Sequence, residues 1–307
     1  MNTLMTVSAA AVAAGAALLF TTVGEIITER AGVLNIGLEG MMAVGAVTGF
    51  LVMDQTGSAY AGVLGALASG AVVALVHAVF VVTLRVDQVV SGLGIAIGAS
   101  GLATVIGRDL VGVPPRATVG TSEIPLLSDL PVVGDILFSQ GVLTYAAIIV
   151  ALAAAAFLSV TRTGLHLQAV GENPLAADGT GIKVELYRYS ATVFGGALAG
   201  IGGATLSLQE SPGWSQRLVG GRGWICVALV IFAFWSPSRA IGGAFLFGFL
   251  QILALEAQIL DLTIPTPILA MLPFIGTLVV LILISFTGVK SRLGAPAALG
   301  RPYARGA

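Results

Sequence analysis

The sequence predicts an all-α polytopic membrane protein of about nine transmembrane helices, one of them short or broken, arranged as a single transmembrane domain over residues 1–307. Two compositional observations and one of pattern predict it. Only 9% of the 307 residues are charged and 57% are hydrophobic, whereas a soluble domain carries about 25% charged residues. Mean hydropathy is +1.00. Apolar runs of the ~20 residues needed to cross a bilayer recur along the whole chain.

Taken in order, those runs fall near 4–24, 33–53, 59–84, 88–107, 141–160, 189–208, 240–260 and 268–287. A ninth, Gly223 to Trp235, lies between Gly220-Gly221-Arg222-Gly223 and Ser236-Pro237 and is too short for a full span. It reads as a short or broken helix. The first basic residue is Arg30, so the N-terminal run lacks the positive flank of a secretory signal and is expected to stay as a helix. Forty-one glycines suit close helix contact in lipid. Cys226, the single cysteine, sits in an apolar run and reads as a small packed side chain.

Orientation follows from the bias of Lys and Arg toward the cytoplasmic side. With the N-terminus outside and nine crossings, ten of the fourteen Lys and Arg fall inside, and only Arg108, Arg116, Arg217 and Arg222 fall outside. This makes 108–140 an extracytoplasmic loop, 161–188 a cytoplasmic loop and 288–307 a cytoplasmic tail. The opening stretch and the 220–223 turn lead spans of opposite direction, a weak echo of the pattern an inverted repeat produces.

One stretch is out of place in lipid: Glu29 to Met42, with glycines at 32, 37 and 40, Asn35 and an ionisable Glu39. Freed backbone and a carboxylate at membrane depth need protein or a water-filled cavity to receive them. Asn35 and Glu39, four apart, are expected on one helix face. They either line a polar route, with Gly37 and Gly40 beside them, or pair with a neighbouring helix or the headgroups. At the outer mouth, Gln209, Glu210, Trp214, Gln216, Arg217, Arg222 and Trp224 offer polar and aromatic groups to a ring-bearing solute, although tryptophan there also serves as an interfacial anchor.

The cytoplasmic loop holds Gly171-Glu172-Asn173-Pro174 followed by Ala176, Ala177, Asp178 and Gly181. Asn173 reads as an N-cap and Pro174 as the first helical residue, with Gly181 as the left-handed stop. A helix this short needs a support, either the protein's own helices or a partner's groove. Ala176 and Ala177 are expected on its outward face. No phosphate-cradling glycine loop, nucleophile elbow or zinc histidine pair is present, and His77 and His166 have no ligand partners at metal spacing. The chain is read as a non-enzyme.

The run Glu29 to Met42, the 171–182 loop and Gly221-Arg222-Gly223-Trp224 through Trp235-Ser236-Pro237 to Gly242-Gly243-Ala244 together resemble the permease subunits of bacterial ABC importers. The resemblance is to the branched-chain amino acid and simple-sugar permease superfamily, and to its nucleoside-type branch in particular. It implies a multi-pass protein of the bacterial inner membrane that forms a heterodimeric pathway with a related, longer permease. A separate cytoplasmic ABC ATPase would bind ATP and magnesium, leaving this chain without a cofactor. An extracytoplasmic nucleoside-binding lipoprotein would deliver the solute. It also implies that 173–181 is the coupling helix seated on the ATPase. Purine nucleosides lead as solute, with simple sugars and branched-chain amino acids as alternatives. An ion-coupled secondary transporter is the rival class, since it too would carry broken helices and an intramembrane carboxylate.

Overall fold

The structure, a computed structural model, describes residues 2–125, 127–128, 130–131, 133–259, 271, 275–276, 278–279, 282 and 294–304. The predicted span 268–287 falls mostly outside the described residues. The described helices are α1 (Asn2–Arg30), α2 (Leu38–Thr56), α3 (Ala59–Ala78), α4 (Gln88–Ile106), α5 (Val142–Val160), α6 (Arg162–Glu172), α7 (Pro174–Gly179), α8 (Val184–Thr205), α9 (Arg222–Phe232) and α10 (Pro237–Ile259). Two short strands, β1 (Thr121–Glu123) and β2 (Ser139–Gly141), pair antiparallel with Ser122 opposite Gln140.

Among the described residues, six helices are long and apolar enough to cross a membrane: Val7–Arg30, Ala59–Thr83, Gln88–Ile106, Val142–Val160, Val184–Glu210 and Pro237–Ala257. The multi-pass character is therefore plain, and the finer count of nine is not reached. α2 carries Glu39 at one end and Asp54-Gln55 at the other, and α9 has only 11 residues. Boundaries also shift, because α1 runs to Arg30 instead of ending near residue 24.

Two helices form the centre. The spanning windows of α1 and α8 are 89% and 83% buried, against 22–39% for α3, α4, α5 and α10. A helix apolar on all sides is stable only when surrounded, and these two are surrounded by protein. The outer four present Leu64, Val90, Ile97, Ile149, Leu152, Leu246 and Leu253 outward, as suits contact with lipid chains. Lipid is as apolar as leucine, so close packing has to hold the bundle together. Gly200 on α8 provides it: a Cβ on Gly45 of α2 would lie 2.5 Å from the Gly200 Cα, and one on Gly70 of α3 would lie 2.8 Å from it. Any larger residue at these positions would push helices apart.

α1 stops at Arg30, and the following turn holds Gly32, whose φ of +83° suits glycine and turns the chain back along its own helix. Residues 31–37 are not helical, so their backbone needs other partners. The Leu34 N–H donates to Gln88 Oε1 at 2.7 Å, the Leu34 carbonyl lies 3.1 Å from His77 Nε2, and the Asn35 N–H donates to Glu25 Oε1 at 2.9 Å. His77, fully buried, thus satisfies a broken segment of backbone.

The predicted 161–188 loop is shorter than expected, because α8 begins at Val184, and its remainder folds into two helices. α6 is amphipathic and capped by Thr161, whose hydroxyl accepts from the Gly164 N–H at 3.0 Å. α7 follows, with Asn173 Oδ1 accepting from the Ala176 N–H at 3.0 Å, Pro174 in the first turn and Gly181 at φ +87°. Chain segment 294–304 packs against this pair: the Ala298 N–H donates to the Gly171 carbonyl at 2.9 Å, and the buried Arg188 donates through Nη1 to the Arg301 carbonyl at 3.0 Å.

Candidate functional site

The site is built around α9 and the coil 211–221 that leads into it. At about 1.5 Å per residue, eleven residues make a helix of about 16 Å, roughly half a ~30 Å hydrocarbon core. Its C-terminal end is tied to the end of α1. The Trp235 indole N–H donates to Glu29 Oε2, and Arg30 Nε donates to the Trp235 carbonyl at 3.1 Å. Phe234 and Trp235 hold φ near +50°, where side chains rarely sit, so this elbow is fixed by its surroundings. The N-terminal end of α9 must then lie about half a bilayer away.

At that depth it meets Glu39. The Gly221 N–H donates to Glu39 Oε1 and the Gly223 N–H to Glu39 Oε2, both at 2.8 Å. A carboxylate on the exposed N–H groups of a helix N-terminus is a favourable arrangement, strengthened by the helix dipole. Gly221, at φ +87°, starts the turn, and a Cβ on Gly223 would lie 2.5 Å from the Glu39 Cα. Glu39 therefore pairs with a neighbouring element, as one of the sequence readings allowed: it caps a half-helix.

Beside this cap is a cavity of about 340 Å³ lined by Glu39 and Ala43 of α2, Ser100, Gly101 and Thr104 of α4, and residues 214 and 216–220 of the coil. A larger cavity of about 530 Å³, walled by α1, α5, α6 and α8, is almost wholly apolar and has no such convergence of polar groups. The chemistry points to the smaller one. A carboxylate, two hydroxyls one helical turn apart, an amide at Gln216, the Arg217 guanidinium and the Trp214 ring can bind a polar solute with a flat apolar face.

Of the residues predicted for the pathway and its outer mouth, the structure brings Glu39, Trp214, Gln216 and Arg217 to this cavity. Asn35 is not on the helix face of Glu39, because the chain is still unwound there. Its Oδ1 instead accepts from the Gly37 N–H at 3.0 Å, and Nδ2 lies 3.3 Å from Met41 Sδ. Gly37 and Gly40 serve close approach of α2 to α4: a Cβ on Gly40 would lie 2.7 Å from the Ile95 carbonyl oxygen. Gln209 ties α8 to α5 through the Leu143 N–H at 2.9 Å and Thr144 Oγ1 at 3.1 Å. Arg222 is paired with Glu210 at 2.7 Å and donates to Gln251 at 3.2 Å, and Trp224 is 37% exposed.

Gln216 and Arg217, offered by the sequence at the outer mouth, line the cavity, whereas Ser100 and Thr104 were not among the predicted residues. The one available signal was two hydroxyls four apart in an otherwise apolar span, which puts them on one face.

The 171–181 residues form the second candidate surface. Leu175 and Ala176 face outward. The expectation that Ala177 does so too is corrected: Ala177 is buried against Val170, Val184 and Tyr303. At 3.6 residues per turn, three successive residues cannot share one face of so short a helix. Gly171 is fixed by contact, since its Cβ would lie 2.9 Å from the Arg30 carbonyl carbon. Glu172 Oε2 accepts from the Ala297 N–H at 3.3 Å, and Asp178 is half-buried.

A buried bundle broken midway by a capped half-helix, with a polar cavity at the break, defines a membrane transport subunit. A profile described as "Branched-chain amino acid transport system / permease component" matches residues 7–285, and the chain belongs to this family. The family is the membrane permease part of ABC transport systems and is not enzymatic. The chain is 38% identical to the "Putative glucose ABC transporter permease protein TsgC13" of Haloferax volcanii, over 96% of each chain. It is 35% identical to the "Guanosine ABC transporter permease protein NupQ" of Bacillus subtilis, over 95% of this chain and 94% of that one. The "Nucleoside ABC transporter permease protein NupC" of Lactococcus lactis is 36% identical, over 92% and 93%. No solved structure matches.

Proposed function

We propose that this chain is the permease of an ABC importer for purine nucleosides. The observation that carries it is the cavity at the α9 cap, where Trp214 offers a ring face while Ser100, Thr104 and Gln216 offer groups suited to ribose hydroxyls and base edges. Two relatives named for guanosine or nucleoside transport support that solute class. In this reading a related, longer permease completes the pathway, an extracytoplasmic nucleoside-binding lipoprotein delivers solute, and a cytoplasmic ABC ATPase holds ATP and magnesium. The N-terminus is outside and the tail cytoplasmic, as the Lys and Arg bias supports.

The relative named for glucose favours one second reading, a sugar importer using the same cavity. The mechanism is the same for either solute. The ATPase moves α7, and α1 and α9 rock about the capped break so that the cavity opens first outward and then inward. Uptake of radiolabelled guanosine by membranes holding the whole transporter, with glucose and adenosine as competitors, separates the two. Competition by adenosine and not by glucose is expected. Glucose accumulation that nucleosides fail to inhibit would refute the nucleoside assignment.

A further inference from the structure

The segment 294–304 is irregular, yet it is held on several sides. The Ala297 N–H donates to Glu172, the Ala298 N–H to the Gly171 carbonyl, and the Arg301 carbonyl accepts from Arg188. Arg188 is 1% exposed, and a buried guanidinium is placed only where surrounding structure fixes it. The Tyr303 ring fills the small cluster of Val170 from α6, Ala177 from α7 and Val184 from α8. Gly300, at φ +75°, makes the bend that brings Tyr303 back under α7. Six residues of helix cannot hold themselves in place, so these contacts supply the support that α7 lacks alone.

The same segment also forms surface. Two concavities of about 420 Å³ each flank Tyr303. One lies between 172–175 and residues 297–304, and the other is lined by Asp178 and residues 181–186 with Tyr303. Leu175, 58% exposed, stands at the edge of the first, and Arg301 and Pro302 are exposed on its far wall. A partner that grips α7 through the Leu175 side must therefore touch the 301–302 bend as well.

We infer that residues 297–304 form the second half of the ATPase docking surface and hold α7 in its docking position. The inference rests on the proposed function, in that the occupant is the cytoplasmic ATPase of an ABC importer. Continuity of one groove across both segments is what assigns them a single occupant.

The test uses the assembled transporter in membranes, with a photo-reactive benzoylphenylalanine placed in the full chain at Leu175 or at Arg301, both exposed. Crosslinks to the ATPase from both positions are expected. A crosslink from Leu175 without one from Arg301 would overturn the inference and leave the proposed function intact. No crosslink from either would overturn the docking of an ATPase on α7 altogether. A chain ended after residue 296 adds a second readout: about tenfold less ATPase recovered per permease is expected, a loss of one factor of ten in affinity. Equal recovery would overturn the inference.

Discussion

Replacing Glu39 with Gln tests the half-helix cap directly. The native carboxylate accepts from two backbone N–H groups at 2.8 Å, and both sit at the unsatisfied start of α9. Gln keeps the shape and one acceptor oxygen, but its NH₂ cannot accept, so one N–H loses its partner. Hydrogen bonds to charged groups contribute about 1.5–3 kcal/mol each. Loss of the charge at a helix N-terminus adds up to about 2 kcal/mol in a partly buried setting. A destabilisation of about 2–4 kcal/mol follows from combining these. Ala, which removes both acceptors, should exceed it. The assay pairs thermal unfolding of the purified complex with nucleoside uptake at matched permease levels. A lowered midpoint together with at least a tenfold fall in uptake is expected, since 1.4 kcal/mol is a factor of ten. If Glu39→Gln unfolds at the native temperature and transports at the native rate, neither the charge nor the second acceptor matters, and the cap argument fails.

Other predictions follow from neighbouring contacts. Trp235→Phe removes the indole donor to the buried Glu29 and should destabilise by about 1–3 kcal/mol, measured by thermal unfolding, with Trp235→Leu no better. Ala176→Trp, on the outward face of α7, should leave the permease folded and abolish ATP hydrolysis stimulated by the solute, whereas Ala177→Trp should lower the unfolding temperature because it overpacks against Tyr303. Ser100→Ala combined with Thr104→Val should raise the KM for nucleoside uptake about tenfold without lowering permease abundance, and an unchanged KM would remove these hydroxyls from the solute path.

The membrane class, the lipid-incompatible stretch Glu29 to Met42 and the cap at Asn173 were all readable from sequence, because each rests on local chemistry, although the end of α1 at Arg30 was not. Apolar run length, glycine at a turn and asparagine before proline act over a few residues. What the sequence did not disclose is which distant groups meet. Glu39 and Gly221 are 182 positions apart, and no periodicity links them. The same holds for His77 beneath Leu34, where a histidine without metal-ligand partners proved to be a backbone partner for a broken segment. Gln209 and Arg222 looked like mouth residues because polar groups near a span end usually face water. Here each is used up by α5, Glu210 or Gln251. α6 was not expected, since its small amphipathic face is shorter than the runs that signal a span.

The contacts also join the two candidate surfaces through one short stretch of α1. Glu29 and Arg30 hold the α9 elbow at Trp235, while the Arg30 carbonyl lies against Gly171, one residue before the 172–174 entry to α7. Glu39, on the far side of the same break, holds the other end of α9. Both ends of the half-helix are therefore anchored to carboxylates that flank residues 31–37, and the α7 unit bears on the point where that break begins. A displacement of α6 and α7 toward α1 would press on the Arg30 carbonyl, because Gly171 has no room for even a methyl group between them. It must move either the end of α1 or the α9 elbow, and both are bonded to the helix whose other end borders the cavity. Close-packed contacts of this kind transmit strain by discrete repacking and not by continuous deformation. The least lipid-compatible residues of the chain, Glu29 to Gly40, therefore stand where α1, both ends of α9 and the entry to α7 meet, and contacts of the surrounding protein take the place of the continuous helix that lipid would demand.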